Sequence, residues 1–234
     1  MKFATFLVRP AGETRQAFHA WLAAEYLPRI AAAPELRGAV VRLARDLAPA
    51  EYPVHAPQRT ESAFPVFEAL VETWFSTTEE FRRASRTLDT GLLERGAGLI
   101  SLRVTPWLEK DPRIAEAGPS GARPAMTWVS PVTFLPGLAP AEARRHWDEH
   151  VPIALRVHRG LTKYERNWVD EVMARSPDVP AFDAYADFAV ARMEDFRENF
   201  FPAPEDIREI GADIADFLDR RGIVYLTDAA PLRV

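Results

Sequence analysis

Residues 146–150 read His146-Trp147-Asp148-Glu149-His150. Two imidazoles four residues apart fall on one face of a helix, with a carboxylate between them. The letters match the inverted zinc-peptidase pattern H-x-x-E-H. The match is only five residues long, and nothing else in the chain points to a peptidase. No metal is therefore expected. The chemistry left to His150 is proton transfer, because an imidazole titrating near ~6.5 can give or take a proton at neutral pH. Pro152 lacks an N–H and so denies a helical partner to the carbonyl of Asp148, beside the ring.

A similar phrase occurs earlier: Trp21-Leu22-Ala23-Ala24-Glu25-Tyr26-Leu27-Pro28. In both places an aromatic precedes Glu, a ring, an aliphatic residue and Pro. The prolines are 152 − 28 = 124 residues apart, and the apolar runs starting at Leu99 and Ile223 keep the same offset, 223 − 99 = 124. Such a repeat means one architecture used twice. Tyr26 stands where the second copy has His150. A phenol is a weak base but a good hydrogen-bond donor, so Tyr26 is a candidate for orienting a substrate; it also fits a core stripe with Phe18 and Leu22. Glu72 and Asp187 hold similar places in the third strand of each copy. A carboxylate among apolar neighbours can act as an acid or base, or fix a histidine tautomer. Trp147 and Trp168 are the tryptophans nearest His150 and are candidates to line a pocket for a flat ligand. His55, in a Pro-rich loop, could lie over a cavity; His19 and His158 have no motif around them.

The elements that must carry these residues follow from periodicity. Lys2–Arg9 reads as a buried strand ended by Pro10-Ala11-Gly12. A helix capped by Thr14 follows, then strands over 39–46 and 66–75. A second helix opens at the capping-box-like Thr77-Thr78-Glu79-Glu80, and a strand over 99–107 completes the copy. The order β-α-β-β-α-β is the split βαβ, or ferredoxin-like, unit. Residues 111–123, rich in Pro and Gly, read as a linker. The second copy, 124–234, repeats the order, with strands over 125–134, 162–172, 182–192 and 223–228. Its helices are expected over 140–156, from 194 to 200 and over 205–221. The fold class is α+β: two ferredoxin-like repeats, 1–110 and 124–234, whose sheets can pair and close a shared barrel that leaves a cavity.

The second copy resembles the EthD family. The resemblance rests on His146 to Ala154 and on Gly160-Leu161-Thr162-Lys163-Tyr164-Glu165-Arg166-Asn167, a Gly-Leu followed by a Tyr-x-x-Asn strand. It implies dimeric α/β-barrel domains. Relatives in that superfamily include cofactor-free monooxygenases, cyclases, dehydratases and lactone isomerases, and others carry haem. The resemblance places His150 at a cavity mouth between helix and sheet, with Tyr164 and Asn167 on the strand beside it. An amide such as Asn167 can bind a carbonyl or hydroxyl.

The chain has 234 residues, 47% hydrophobic, a net charge of −5 and no cysteine. The charge is spread along the chain and offers no basic footprint for nucleic acid. No run is long enough to span a bilayer. The absence of Cys excludes thiolate catalysis, thiolate metal sites and disulfides. The N-terminal run reads as a strand rather than a signal peptide, so a cytoplasmic protein is expected, acting as a monomer or homodimer. The expected activity is metal-free and cofactor-free. It is an isomerase, cyclase, dehydratase or other lyase step on an apolar or aromatic oxygenated molecule, with His150 moving the proton and Asn167 or Tyr26 holding the developing oxyanion. The alternatives are a cofactor-independent monooxygenase, a non-catalytic binding protein and a haem protein.

Overall fold

The computed structural model describes residues 1–54, 64–110, 124–226 and 231–232. His55 and the linker 111–123 lie outside the described residues. In the first repeat, β1 (Lys2–Val8), β2 (Gly38–Leu43), β3 (Phe67–Trp74) and β4 (Gly98–Lys110) form an antiparallel sheet in the order β2-β3-β1-β4. In the second, β5 (Met126–Phe134), β6 (Leu161–Arg175) and β7 (Ala184–Val190) are joined by two short strands, β8 (Leu218–Arg221) and β9 (Val224–Leu226), both paired with β5. Both repeats therefore have the ferredoxin-like strand order. They fuse along β4 and β6. On the far side, β10 (Pro231–Leu232) pairs with β2, and a bridge links Ala44 to Leu226. One chain thus closes a nearly continuous antiparallel barrel.

Helices cover the outside. In the first repeat α1 (Arg15–Trp21) runs through a π-turn at Leu22–Tyr26 into α2 (Leu27–Ala31), and α3 (Thr78–Glu94) lies beside them. Pro28 cannot donate a backbone hydrogen bond, and the chain answers by widening the turn: the N–H of Leu27 reaches back five residues to the carbonyl of Leu22. The start of α3 is the expected capping box, with Thr77 Oγ1 accepting from Glu80 N–H at 3.2 Å and the Glu80 carboxylate accepting from Thr77 N–H at 3.3 Å. The second repeat has α4 (Pro140–Val157), α5 (Met193–Asn199) and α6 (Pro204–Ala215). Pro140 opens α4 where its missing N–H costs nothing, and Pro152 is accommodated inside that helix. The helix expected over 205–221 stops at Ala215. Phe217 then turns into the core, 1% exposed, and Leu218–Arg221 satisfies its backbone by pairing with Val132–Phe134.

Three apolar clusters result. One lies under α1–α3 and one under α4–α6; the third sits inside the barrel around Phe6, Phe67, Phe182 and Tyr185. The rest of the barrel interior is ionic. Lys2 Nζ meets Glu72 at 2.7 Å and Glu165 at 2.6 Å, and donates to Asn167 Oδ1 at 2.8 Å. Arg42 bridges Asp187 at 2.7 Å and Glu72 at 2.8 Å, Lys163 reaches Asp187 at 2.5 Å, and Tyr185 donates to Glu72 at 3.1 Å. Three cations meet three carboxylates. Burial alone would raise the carboxyls of Glu72 and Asp187, but Lys2, Arg42 and Lys163 outweigh it and hold both below the ordinary range. The expected cavity between the two sheets is therefore filled, by aromatics at one end and by ion pairs at the other.

Candidate functional site

The open space lies outside the barrel, between the sheet of the second repeat and its helices. It is a cavity of about 220 Å³. Trp128 and Phe188 from the sheet, Phe196 from α5 and Phe200 just after it form an aromatic wall, and Ile210 of α6 is on the lining. Trp128 stacks on Phe188 at 5.1 Å and meets Phe200 edge-on at 5.0 Å. The equivalent place in the first repeat holds only about 10 Å³. There Phe3 and Phe81 stack at 4.1 Å, and Tyr26, 3% exposed, fills the space beside Ile30.

His150 is on the cavity lining, on the buried face of α4. Its Nδ1 is paired with Oδ2 of Asp213 on α6. The carboxylate can only accept, so it selects the Nδ1–H tautomer of a neutral ring and leaves Nε2 with a lone pair. Burial lowers the His150 pKa below the usual 6.5; Asp213 opposes that shift and the Arg166 charge adds to it. The ring is therefore neutral, and able to act as a base, at pH 7. Asp213 falls between Ile210 and Ile214 on an otherwise apolar helical stripe that starts at Ile207. Sequence reasoning passed over it, although an acid on the edge of such a stripe was the available signal.

The other expected residues separate into three places. Trp147 and Tyr164 are at the cavity, joined by a 2.8 Å bond from Trp147 Nε1–H to the Tyr164 hydroxyl. That bond uses the hydroxyl as acceptor and leaves its proton to donate. Burial raises the Tyr164 pKa, which keeps the proton in place. Trp168 stands one layer behind, against Trp147 at 5.1 Å and under the Arg144 guanidinium at 4.8 Å. Asn167, Asp187 and Glu72 are not at the cavity. They face the barrel interior, because the period of two on β6 that turns Tyr164 outward turns Glu165 and Asn167 inward. The tautomer-fixing role considered for Asp187 belongs by position to Asp213. Tyr26 lies in the core of the other repeat.

The H-x-x-E-H letters do not build a zinc site. Glu149 is exposed and held by Arg145 at 2.8 Å, while His150 is taken by Asp213. Among the described residues, Glu72, Glu165 and Asp187 have oxygens near enough to converge on a cation, but Lys2, Arg42 and Lys163 already neutralise them.

His158, at the C-terminal end of α4, was missed because no motif surrounds it. It lines the same cavity, stacks on Phe200 at 4.0 Å and pairs Nδ1 with the Phe200 carbonyl at 2.7 Å. Burial pushes its pKa down to about 4. An unfolded histidine binds a proton near ~6.5, so between pH 6.5 and 4 the unfolded chain holds a proton that folded His158 does not. Stability is complete above that window and falls as pH drops through it, by about 3 kcal/mol. Thermal unfolding from pH 7 to 4 is expected to show a flatter loss for His158→Asn than for wild type; parallel curves would contradict the assignment.

An EthD domain model matches residues 135–221, within the second repeat, the repeat that holds the cavity. No curated protein sequence matches the chain. Among solved structures, the chain is similar to an anthrone oxidase-like protein, with a TM-score of 0.61 and 10% identity, over 98% of this chain and 92% of that one. It is also similar to a chlorite dismutase variant from Candidatus Nitrospira defluvii, with a TM-score of 0.53 and 15% identity, over 99% and 92% of the two chains. These likenesses identify the fold as the two-repeat α/β barrel with its ferredoxin-like units. No helix among the described residues is long and apolar enough to cross a membrane.

Proposed function

We propose that the protein is an enzyme that removes a proton from a small, flat, oxygenated aromatic molecule held in the cavity of the second repeat. The observation that carries this is the His150–Asp213 pair on the lining of an aromatic-walled space. His150 Nε2 takes the proton, Asp213 stabilises the imidazolium, and the Tyr164 hydroxyl donates to the oxygen on which negative charge gathers. The dry walls disfavour free charge, so an acidic C–H or O–H next to a carbonyl or ring is the fitting substrate group.

The resulting enolate or phenolate has two fates. Returning the proton at another atom gives isomerisation, cyclisation or elimination. Reaction of the electron-rich anion with dioxygen gives oxygenation without a cofactor. The name of the anthrone oxidase-like relative is in keeping with the second fate. Anthrone, whose ring carbon is acidified by a conjugated ketone, is a suitable probe. Incubation under air is expected to yield either oxygen uptake with an oxidised product, or a rearranged product without uptake. Failure to turn over anthrone and a panel of phenols and 1,3-diketones, despite binding, would make the cavity a binding site only.

A second reading, haem ligated by His150, is favoured by one feature. A ligating imidazole commonly gives its other N–H to a carboxylate, as His150 does to Asp213. The donor set fits such a group, which would supply redox chemistry, but the space of about 220 Å³ is smaller than the macrocycle and would have to widen to hold it. Haemin added to the protein would then produce a visible spectrum that His150→Ala abolishes.

A further inference from the structure

The polar groups on the cavity lining are mostly committed to protein partners. His150 is paired with Asp213, His158 with the Phe200 carbonyl, Tyr164 with Trp147, and Ser130 donates to the Gly222 carbonyl at 2.8 Å. Arg221 differs. Its backbone pairs with Val132, but its side chain, on the lining, belongs to no hydrogen bond or ion pair among those of the described residues. Its neighbour Arg220 is paired with Asp219 at 3.4 Å. The register explains the difference. Arg221 on β8 is opposite Val132 on β5, and Val132 faces the cavity; Arg220 is opposite Thr133, one residue along, and points to the other face. No Asp or Glu is among the described residues of the lining, and Arg221 is the one permanently charged residue among them. Partial desolvation at the edge of the cavity lowers the Arg221 pKa, far short of deprotonation at neutral pH.

Arg221 is exposed at the mouth of the cavity, where its guanidinium has no side-chain partner among the described residues. Its planar fork matches a carboxylate with two parallel N–H···O bonds. We infer that Arg221 is a specificity residue: the ligand is an aromatic acid whose carboxylate pairs with Arg221 while its ring system fills the space between Trp128, Phe188 and Phe200. This rests on the reading of the cavity as an aromatic small-molecule site and adds a substrate class to it. It also fixes an orientation, because one end of the molecule is tied to β8 and the rings extend between the sheet and α5.

The test compares anthraquinone-2-carboxylate with the neutral anthraquinone-2-carboxamide, which has the same rings. Binding is read from quenching of the cavity tryptophans in wild type, Arg221→Gln and Arg221→Lys. Wild type is expected to prefer the acid by about 10-fold or more. Arg221→Gln is expected to lose that preference while binding the amide as wild type does, which also shows that the variant is folded. Arg221→Lys keeps a reduced preference, and added salt weakens acid binding alone. Equal binding of acid and amide by wild type, or an unchanged preference in Arg221→Gln, overturns the role of Arg221 and leaves the aromatic site standing. Binding of neither compound overturns the aromatic site and the inference with it.

Discussion

His150→Ala is expected to lower turnover by about 10²–10⁴-fold, the usual contribution of a positioned general base, with little change in binding of an uncharged ligand. The ring sits at the cavity in its neutral form, and no other neutral base there has its Nδ1 held by a carboxylate. Asp213→Asn should also lower the rate. The amide can donate to Nδ1, which would turn the ring to the tautomer that carries its proton on Nε2, the wrong atom for a base. The pH profile gives a further check. Since burial holds the His150 pKa below 6.5, wild-type activity should persist as pH falls below that value and then decline as the ring protonates. Kinetics of wild type and both variants from pH 5 to 8 measure this; a His150→Ala enzyme with wild-type kcat rejects the mechanism.

Arg42→Met is expected to destabilise the fold by about 3–5 kcal/mol, the cost of leaving a buried partner without its counter-charge. Arg42 is 5% exposed and contributes to both Asp187 and Glu72, which are 0% and 4% exposed. Its removal leaves two carboxylates with Lys2 and Lys163 as their remaining cations. At about 2–4 °C per kcal/mol for a chain of this size, Tm should fall by about 10 °C. Asp187→Leu should do comparable damage. The double variant Arg42→Met/Asp187→Leu should lose less than the sum of the two, because removing a whole pair avoids the unpaired charge. Thermal melts of the three variants decide this; single-variant losses within 1 kcal/mol would show that the interior network is not cooperative.

These two predictions concern opposite faces of one sheet, and that is where the sequence was hardest to read. The strand order was legible because periodicity and capping are local signals, and the repeat because its 124-residue offset is written in the sequence; the place of His150 at a cavity came from the resemblance to the EthD family. The period of two along β6 put Glu165 and Asn167 on one face. Which face bordered open space was not legible. Asn167, Glu72 and Asp187 were grouped with His150 because a polar residue in an apolar strand suggests a site. Their cations, Lys2, Arg42 and Lys163, are distant in sequence, Lys2 being 163 residues from Glu165, and only the closed barrel brings them together. Asp213 and His158 were missed for the related reason that their partners come from other elements, α4 and the turn after α5. The end of α6 was misplaced because Leu218–Arg221 follows a helical pattern without an internal break, and pairing with β5 overrode it.

The asymmetry between the repeats has a packing cause. In the first, Tyr26 and the Phe3–Phe81 stack close the space under a helix pair. In the second, Ile210 and Ile214 of α6 instead border an open space of about 220 Å³. Tyr26 and His150 occupy equivalent places in the repeats, yet one completes a core and the other borders the cavity.

The most direct test is hydrogen exchange at the acidic carbon of anthrone in deuterated buffer without oxygen, followed by NMR with wild type, His150→Ala and Asp213→Asn. Wild type is expected to speed deuterium incorporation well above the buffer rate, His150→Ala to return it to that rate, and Asp213→Asn to fall between them. Exchange by wild type at the buffer rate, or equally fast exchange by His150→Ala, would contradict proton removal by His150.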